Sequence, residues 1–414
     1  MGRALVADEV IQKRRPLRIC HLAYSFYDND NRVRRYAEAL AEKGNDVEVL
    51  SLRRQGQAKT ANAGGVRVFR IQRRAVTERR QVTYLLKLVW FFLQSVVMLG
   101  VRHLRHPYDV VHVHNVPDFL VFAGLVPKLM GARLILDIHD ILPELYAGKF
   151  CSERDSFAFR ILLWMEKLSC SFADHVIVAN DLWHDKLIAR TLNTEKCTTL
   201  LNYPDLRIFK PLPPGQRRRD GKFVMMYPGT LNHHQGLDIA IRAFALAKDR
   251  MPNAELHIYG EGPARPQLLT LVSECGLTNL VRIMDRLPLE EIAQAMAAAD
   301  VGVVPKRADG FGNEAFSTKT LEFMACCVPV VVSRTMVDEH YFDDTLVSFF
   351  SPGSASDLAN VIVRLYATRI GDAERIEAAR QFVLRNSWQE RVHEYLSLVD
   401  CLVQTSLDRP AVAK

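Results

Sequence analysis

Short apolar runs alternate with amphipathic helical stretches along almost the whole chain, and no other feature restricts its fold as tightly. Strands buried on both faces read as continuous apolar runs, and parallel strands need a crossover helix between them. The first half predicts strands at 17–22, 47–52, 66–71, 110–114, 134–138 and 175–179, with helices such as 32–42 and 118–130 between them. The rhythm stops around Asn202-Tyr203-Pro204-Asp205. Pro211, Pro213, Pro214 and Gly215 follow, then Arg217-Arg218-Arg219, a polar and turn-rich linker. The pattern restarts with strands at 223–227, 255–259, 281–283 and 301–304 and helices at 237–248, 264–275 and 290–298; further helices begin near Ala355, Ala373 and Trp388. At 414 residues the chain exceeds one ordinary domain. The fold class is α/β, as two Rossmann-like domains.

Composition narrows the class of function. Hydrophobic residues at 49% and charged residues at 24% describe a globular protein with material for two cores. A net charge of +7 leaves a polyanionic ligand, a phospholipid face or nucleic acid as sharper readings than a merely solvated surface. Without an arginine-rich arm or an aromatic-basic RNA motif, no nucleic-acid partner is expected. Cys20, Cys151, Cys170, Cys197, Cys275, Cys326, Cys327 and Cys401 form no CxxC pair and no paired framework, which suits reduced thiols in a cytoplasmic setting. Residues 1–15 lack an apolar core, so no secretory signal is expected.

The chemistry concentrates between Gly310 and Ser333. This segment reads as a loop, a helix from about Thr318 to Ala325 and a buried strand at 329–332. Ser317 and Thr318 stand where a helix N-cap belongs. A helix start carries unpaired N–H groups and partial positive charge, which suits a diphosphate, and Lys319 adds a full charge there. Glu322, one turn deeper, is placed to accept two hydrogen bonds from a ribose diol. Glu314 in the loop is placed to do the same for a sugar ring. Other unusual residues follow predicted strands, where ligands of doubly wound sheets bind: His139-Asp140, the segment Pro228–Gly236, Gly260-Glu261-Gly262 and Lys306-Arg307. His233 and His234 have no Cys or carboxylate at ligand spacing beside them and read as loop residues, so no metal is expected. Gly260-Glu261-Gly262 lacks the third glycine of a dinucleotide fingerprint, which disfavours an NAD-dependent dehydrogenase.

These stretches together resemble glycosyltransferase family 4, the retaining, metal-independent group of GT-B architecture. Carrying the resemblance are PGTLNHHQGLDIAIRAFALA from Pro228, ELHIYGEGP from Glu255, DVGVVP from Asp300 and EAFSTKTLEFMACCVPVVVS from Glu314. DVVHVHN from Asp109 and LILDIHDILPEL from Leu134 also match, so the likeness covers about 17–404. It implies an acceptor-binding domain over 16–205, a nucleotide-sugar domain over 206–385 facing it across a cleft, and a helix over 386–404 returning to the first domain. Carried over by position, Glu314 contacts the hydroxyls of the donor sugar and Glu322 grips the ribose. Lys319 and the N–H groups of Ser317 and Thr318 hold the diphosphate, and His139 lines the reaction centre. Many members carry Arg directly after the glycine at Gly229 and Lys directly before the glycine at Gly236. Here Thr230 and Gln235, both neutral, stand in those places, which makes Lys319, with Lys306 or Arg307, the substitute cation.

The resemblance therefore implies a retaining transferase moving a sugar from a nucleotide-diphosphate-sugar, UDP-sugar first, to an acceptor hydroxyl, with no cofactor. The acceptor would be a saccharide or lipid-linked saccharide in bacterial polysaccharide assembly. A nucleotide-sugar epimerase of the same architecture and a non-catalytic nucleotide-sugar-binding or membrane-scaffold protein are the alternatives. One further segment bears on location. Val82–Val101 is about long enough to cross a bilayer, is interrupted by Lys87 and Gln94, and is flanked by Arg73, Arg74, Arg79, Arg80, Arg102 and Arg105. Spanning would split a continuous βαβ pattern. A wholly buried core helix and an amphipathic helix with one face on an anionic membrane surface remain, and the second is favoured. The expected location is peripheral, at the cytoplasmic face of the cell membrane.

Overall fold

The computed structural model describes residues 15–74, 81–150, 156–213, 215, 221–368 and 373–407. Arg79, Arg80, Cys151, Pro214, the Arg217–Arg219 run and nearly all of the 1–15 stretch lie outside them. The first sheet contains β1 (Arg18–Ala23), β2 (Asp46–Arg53), β3 (Thr60–Ala63), β4 (Val66–Arg73), β5 (Val110–His114), β6 (Arg133–Ile138), β7 (His175–Val178) and β8 (Cys197–Thr199). Its order is β3-β4-β2-β1-β5-β6-β7-β8. The second contains β9 (Phe223–Pro228), β10 (Ala254–Tyr259), β11 (Val281–Met284), β12 (Val301–Val304), β13 (Val330–Ser333) and β14 (Ser348–Phe350), in the order β11-β10-β9-β12-β13-β14. Strands β5, β7, β9, β12 and β13 are buried at every position, which is why they read as largely apolar runs, with His112, His114, His175 and Ser333 as buried polar members. Both sheets are Rossmann-like.

Three short strands escape the sequence pattern. β3 (TANA) is half exposed and pairs antiparallel with β4 through the Gly64-Gly65 turn, where both glycines have positive φ. Its Ala and Asn residues have low strand propensity, so pairing and turn geometry decide it. β8 and β14 are three residues each and continue parallel ladders already in place. The helix expected over 118–130 is instead a 3-10 stretch, Asp118–Gly124, followed by a short helix, Leu125–Leu129.

By contacts the chain forms two compact units, one of 1–114, 120–135 and 399–414, the other of 115–119 and 136–398. In the first, the Glu48 carboxylate is fully buried and accepts from Arg18, Arg67, Arg102 and Tyr108 at 2.6–2.9 Å. Arg102 belongs to the helix Gln81–Arg105, so this network fixes that helix to β2. The helix buries Leu88, Phe91, Ser95, Leu99 and His103, with Phe91 edge-on to Tyr24 at 5.0 Å. On its other side Leu85, Leu86, Trp90, Leu93, Val97 and Leu104 are exposed. The helix is therefore neither wholly buried nor free of the core. The helix Trp388–Leu407 starts in the second unit, where Trp388 N donates to Pro204 O at 2.9 Å. From Val399 it counts with the first, where Lys43 pairs with Asp400 at 2.6 Å.

Candidate active site

The helix Thr318–Ala325 begins as its sequence predicts, with Ser317 in extended backbone at the N-cap. The Ser317 side chain caps nothing. It is only 5% exposed, and its Oγ has no hydrogen-bond partner, a costly state for a buried hydroxyl. Thr318, Lys319 and Glu322 are partly exposed on the same two turns.

Lys319 lies against the turn that follows β9. Gly229 has a φ of +144°, which favours glycine, and a Cβ there would stand 2.4 Å from Lys319 Cε, so the lysine's flexible end lies directly against this turn. Lys319 Nζ sits 5.2 Å over the Tyr227 ring, and among the described residues it has no carboxylate in ion-pair range. Burial lowers its pKa to about 8; the charge of Glu322 opposes that fall and Lys306 adds to it. The surrounding loops interlock at backbone distance. A Cβ on Gly260 would meet Gly229 O at 1.8 Å, and one on Gly236 would meet Pro305 O at 1.9 Å. The turns after β9, β10 and β12 therefore converge beside the start of the 318–325 helix.

The two neutral replacements take structural posts. Tyr227 OH lies 3.0 Å from the carbonyl of exposed Thr230 and 2.9 Å from Gln235 Oε1. Gln235 Nε2 is 2.9 Å from His234 Nε2. Burial, aided by Lys319, lowers the His234 pKa to about 4. The ring is thus neutral, with Nε2 accepting from the amide and the proton on Nδ1.

Lys306 and Arg307 do not share the position of Lys319. Lys306 is buried, pairs with Asp338 at 2.8 Å and donates to Ala315 O at 2.7 Å. Arg307 pairs with Asp238 at 2.5 Å and donates to His233 O at 3.2 Å. Both charges are neutralised in place, and Lys319 is the cation of the three without a carboxylate.

Glu314 ends a short helix, Gly310–Glu314, rather than lying in an open loop. Its Oε2 accepts from Lys186 Nζ, and its carbonyl accepts from Asn180 Nδ2 at 3.1 Å. Lys186 also stands 3.5 Å from Glu144, which Arg190 holds at 2.8 Å. The 310–314 helix packs on the helix Leu142–Phe150, which follows the His139 loop. His139 itself meets buried Asp137 through Nε2 at 2.9 Å, and its backbone N–H donates to Asn115 Oδ1 at 2.8 Å. Asn115 Nδ2 completes the clamp to Asp140 O and Asp118, both at 2.8 Å. A carboxylate on one ring nitrogen orients an imidazole and sets its tautomer.

Lys186, Asn180, Asn115 and Tyr227 were not singled out by the sequence. Asn115 directly follows β5 and Asn180 stands two residues beyond β7, so their place at strand ends was a usable signal. Lys186, inside the helix Asp181–Arg190, offered none.

Residues 210–382 match the family of glycosyl transferases group 1, and residues 30–202 match the glycosyl transferase 4-like domain. The chain belongs to the family 4-like glycosyltransferases of GT-B type. A D-inositol 3-phosphate glycosyltransferase of Thermobispora bispora is 27% identical over 294 residues, 66% of each chain, so the match spans just under two thirds of that relative's length. The enzyme of the same description from Pseudarthrobacter chlorophenolicus is 26% identical over 84% of each chain. Among solved structures, sucrose-phosphate synthase from Thermosynechococcus elongatus superposes with a TM-score of 0.78 at 19% identity, over 94% of this chain and 100% of its own. That likeness is one of fold.

Proposed function

We propose that this protein transfers a sugar from a nucleotide-diphosphate-sugar to an acceptor hydroxyl with retention of configuration. The observation that carries the reading is the start of the 318–325 helix. It presents open N–H groups, an unsatisfied buried Ser317 hydroxyl and, in Lys319, a cation with no carboxylate partner among the described residues. A departing diphosphate supplies the anion that satisfies all three. In the reaction the bond from C1 to the phosphate oxygen breaks and the acceptor oxygen bonds to the same face of C1. The acceptor proton passes to the departing phosphate, so no side chain acts as nucleophile. Leaving-group charge falls to Lys319 and the helix start, in place of the cations that Thr230 and Gln235 do not supply.

Glu322 accepts from the ribose, and Glu314, held by Lys186, retains a second carboxylate oxygen for a sugar hydroxyl. His139, oriented by Asp137 and Asn115, lines the acceptor side. UDP-sugar is the donor to try first; a solved relative of this fold, Alr3699/HepE from Anabaena, was crystallised with UDP and with UDP-glucose. The acceptor is read as a saccharide or lipid-linked saccharide of bacterial polysaccharide assembly, reached from the cytoplasmic leaflet. The half-exposed apolar helix Gln81–Arg105 supports that location. A calorimetric screen of nucleotide-sugars, followed by transfer of radiolabelled sugar to a membrane extract, tests the reading. Donor binding followed by a labelled, base-stable product is expected. Release of epimerised donor without acceptor labelling, or donor binding with no turnover, would overturn it.

A further inference from the structure

The helix Phe157–Phe172 carries an apolar surface that sugar transfer does not use. Ser156 caps its start, accepting from Phe159 N at 3.3 Å, and Phe159, Glu166, Ser169 and Cys170 turn inward. Glu166 is fixed by Arg190 at 2.6 Å. Outward stand Phe157, which is 80% exposed, Trp164, which is 59% exposed, and the exposed Ile161 and Leu168. At 3.6 residues per turn these four fall within an arc of about 60°, a single stripe along three turns. Large aromatic and aliphatic side chains standing in water at this spacing mark a contact surface rather than scattered exposure.

Charge selects the occupant. The helix has three charged side chains, Arg160, Glu166 and Lys167, and its one carboxylate is the one that faces inward. Arg160 and Lys167 are exposed, have no carboxylate partner among the described residues, and both lie on the same flank of the stripe, about 40–60° from its edge. An apolar stripe with an aromatic ring on the edge that faces its flanking cations matches the boundary between acyl chains and anionic headgroups. Protein interfaces, by contrast, are depleted in lysine.

We propose that the helix Phe157–Phe172 lies in the headgroup–acyl boundary of an anionic phospholipid surface, with Trp164 inserted and Arg160 and Lys167 on headgroup phosphates. This extends the membrane reading of the Gln81–Arg105 helix but rests on its own residues, so the two fail separately.

The test uses the full chain with vesicles of phosphatidylcholine alone and of phosphatidylcholine with phosphatidylglycerol. Ile161→Ser/Trp164→Ser should lower binding to the anionic vesicles about tenfold, the scale of removing two exposed apolar anchors. Arg160→Glu/Lys167→Glu should lower it by a similar factor and flatten its salt dependence. Lipids brominated near the headgroup should quench wild-type fluorescence more than that of Trp164→Phe. Because the substituted side chains are exposed, thermal melting and nucleoside diphosphate binding should be unchanged. Trp90→Ser/Leu93→Ser reports on the other helix independently. Unchanged vesicle binding in both 157–172 variants, or equal quenching with and without Trp164, would overturn the proposal. A shift in oligomeric state without loss of vesicle binding would also overturn it and assign the stripe to a second copy of the chain.

Discussion

If Lys319 supplies the leaving-group charge, nucleoside diphosphate binding must be linked to its protonation. With a pKa of about 8 in the free protein, about nine-tenths of Lys319 is charged at pH 7 and about one-tenth at pH 9. A bound diphosphate holds the proton, so UDP affinity should fall roughly tenfold, about 1.4 kcal/mol, between those pH values. The phosphate of UDP titrates below this window and does not mask the effect. Calorimetry at pH 8 in buffers of different ionisation enthalpy should show net proton uptake on binding. Lys319→Met should bind UDP at pH 7 no better than the wild type does at pH 9, and should show no uptake. Stability should move the opposite way. The folded pKa lies below the unfolded value of 10.5, so the unfolded chain holds more protons between about 8 and 10.5. Wild-type stability therefore rises with pH through that window, and below it the buried charge costs its full amount. A fall from 10.5 to about 8 corresponds to about 3.4 kcal/mol, reduced to about 1–2 kcal/mol because the side chain stays partly in water. Lys319→Met should stabilise the free protein by that amount at pH 7 in urea denaturation. UDP binding that is equal at pH 7 and pH 9, or a Met variant that binds as the wild type does, refutes the assignment.

Other substitutions probe the remaining contacts. Glu322→Ala should weaken nucleoside diphosphate binding by about 1.5–3 kcal/mol in calorimetry, and unchanged binding would remove it from the ribose. Lys186→Ala frees the Glu314 carboxylate from its partner, so it should lower kcat/KM for the donor while leaving UDP affinity intact, with Lys186→Arg restoring much of the loss. Glu48 tests the helix anchor. Burial would raise its pKa, but hydrogen bonds from Arg102, Tyr108 and Arg18 overcome this and hold it at about 2. Its stabilisation is therefore present above pH 4.5 and lost as pH falls toward 2, so Glu48→Gln should cost about 3 kcal/mol at pH 7, a difference that shrinks below pH 4.5 in denaturant titrations.

The sequence by itself determined the elements whose signal is local. Strands such as Val301–Val304 are buried on both faces and are apolar throughout, and Val110–His114 shows the same burial with His112 and His114 as its polar members. The helix Thr318–Ala325 was legible to the residue because Ser317, the turn before it and the apolar strand after it all act within a few residues. The amphipathic character of the 81–105 helix could be read too, but not which way each side chain turns. Phe91, beside exposed Trp90, is fully buried, and substituting it would break packing against Tyr24 rather than test a surface. Partners across long sequence separations were decided only in the tertiary structure. In sequence Lys306, after a strand, and Lys319, at a helix start, look equally able to serve as the substitute cation. Folding places Asp338 against one and leaves the other facing a glycine and an aromatic ring. Glu314 acquires Lys186, 128 positions away, by the same route. Periodicity reports which face a residue occupies relative to its neighbours in the chain. Which charge meets which depends on how distant loops converge, and that information resides in no segment alone.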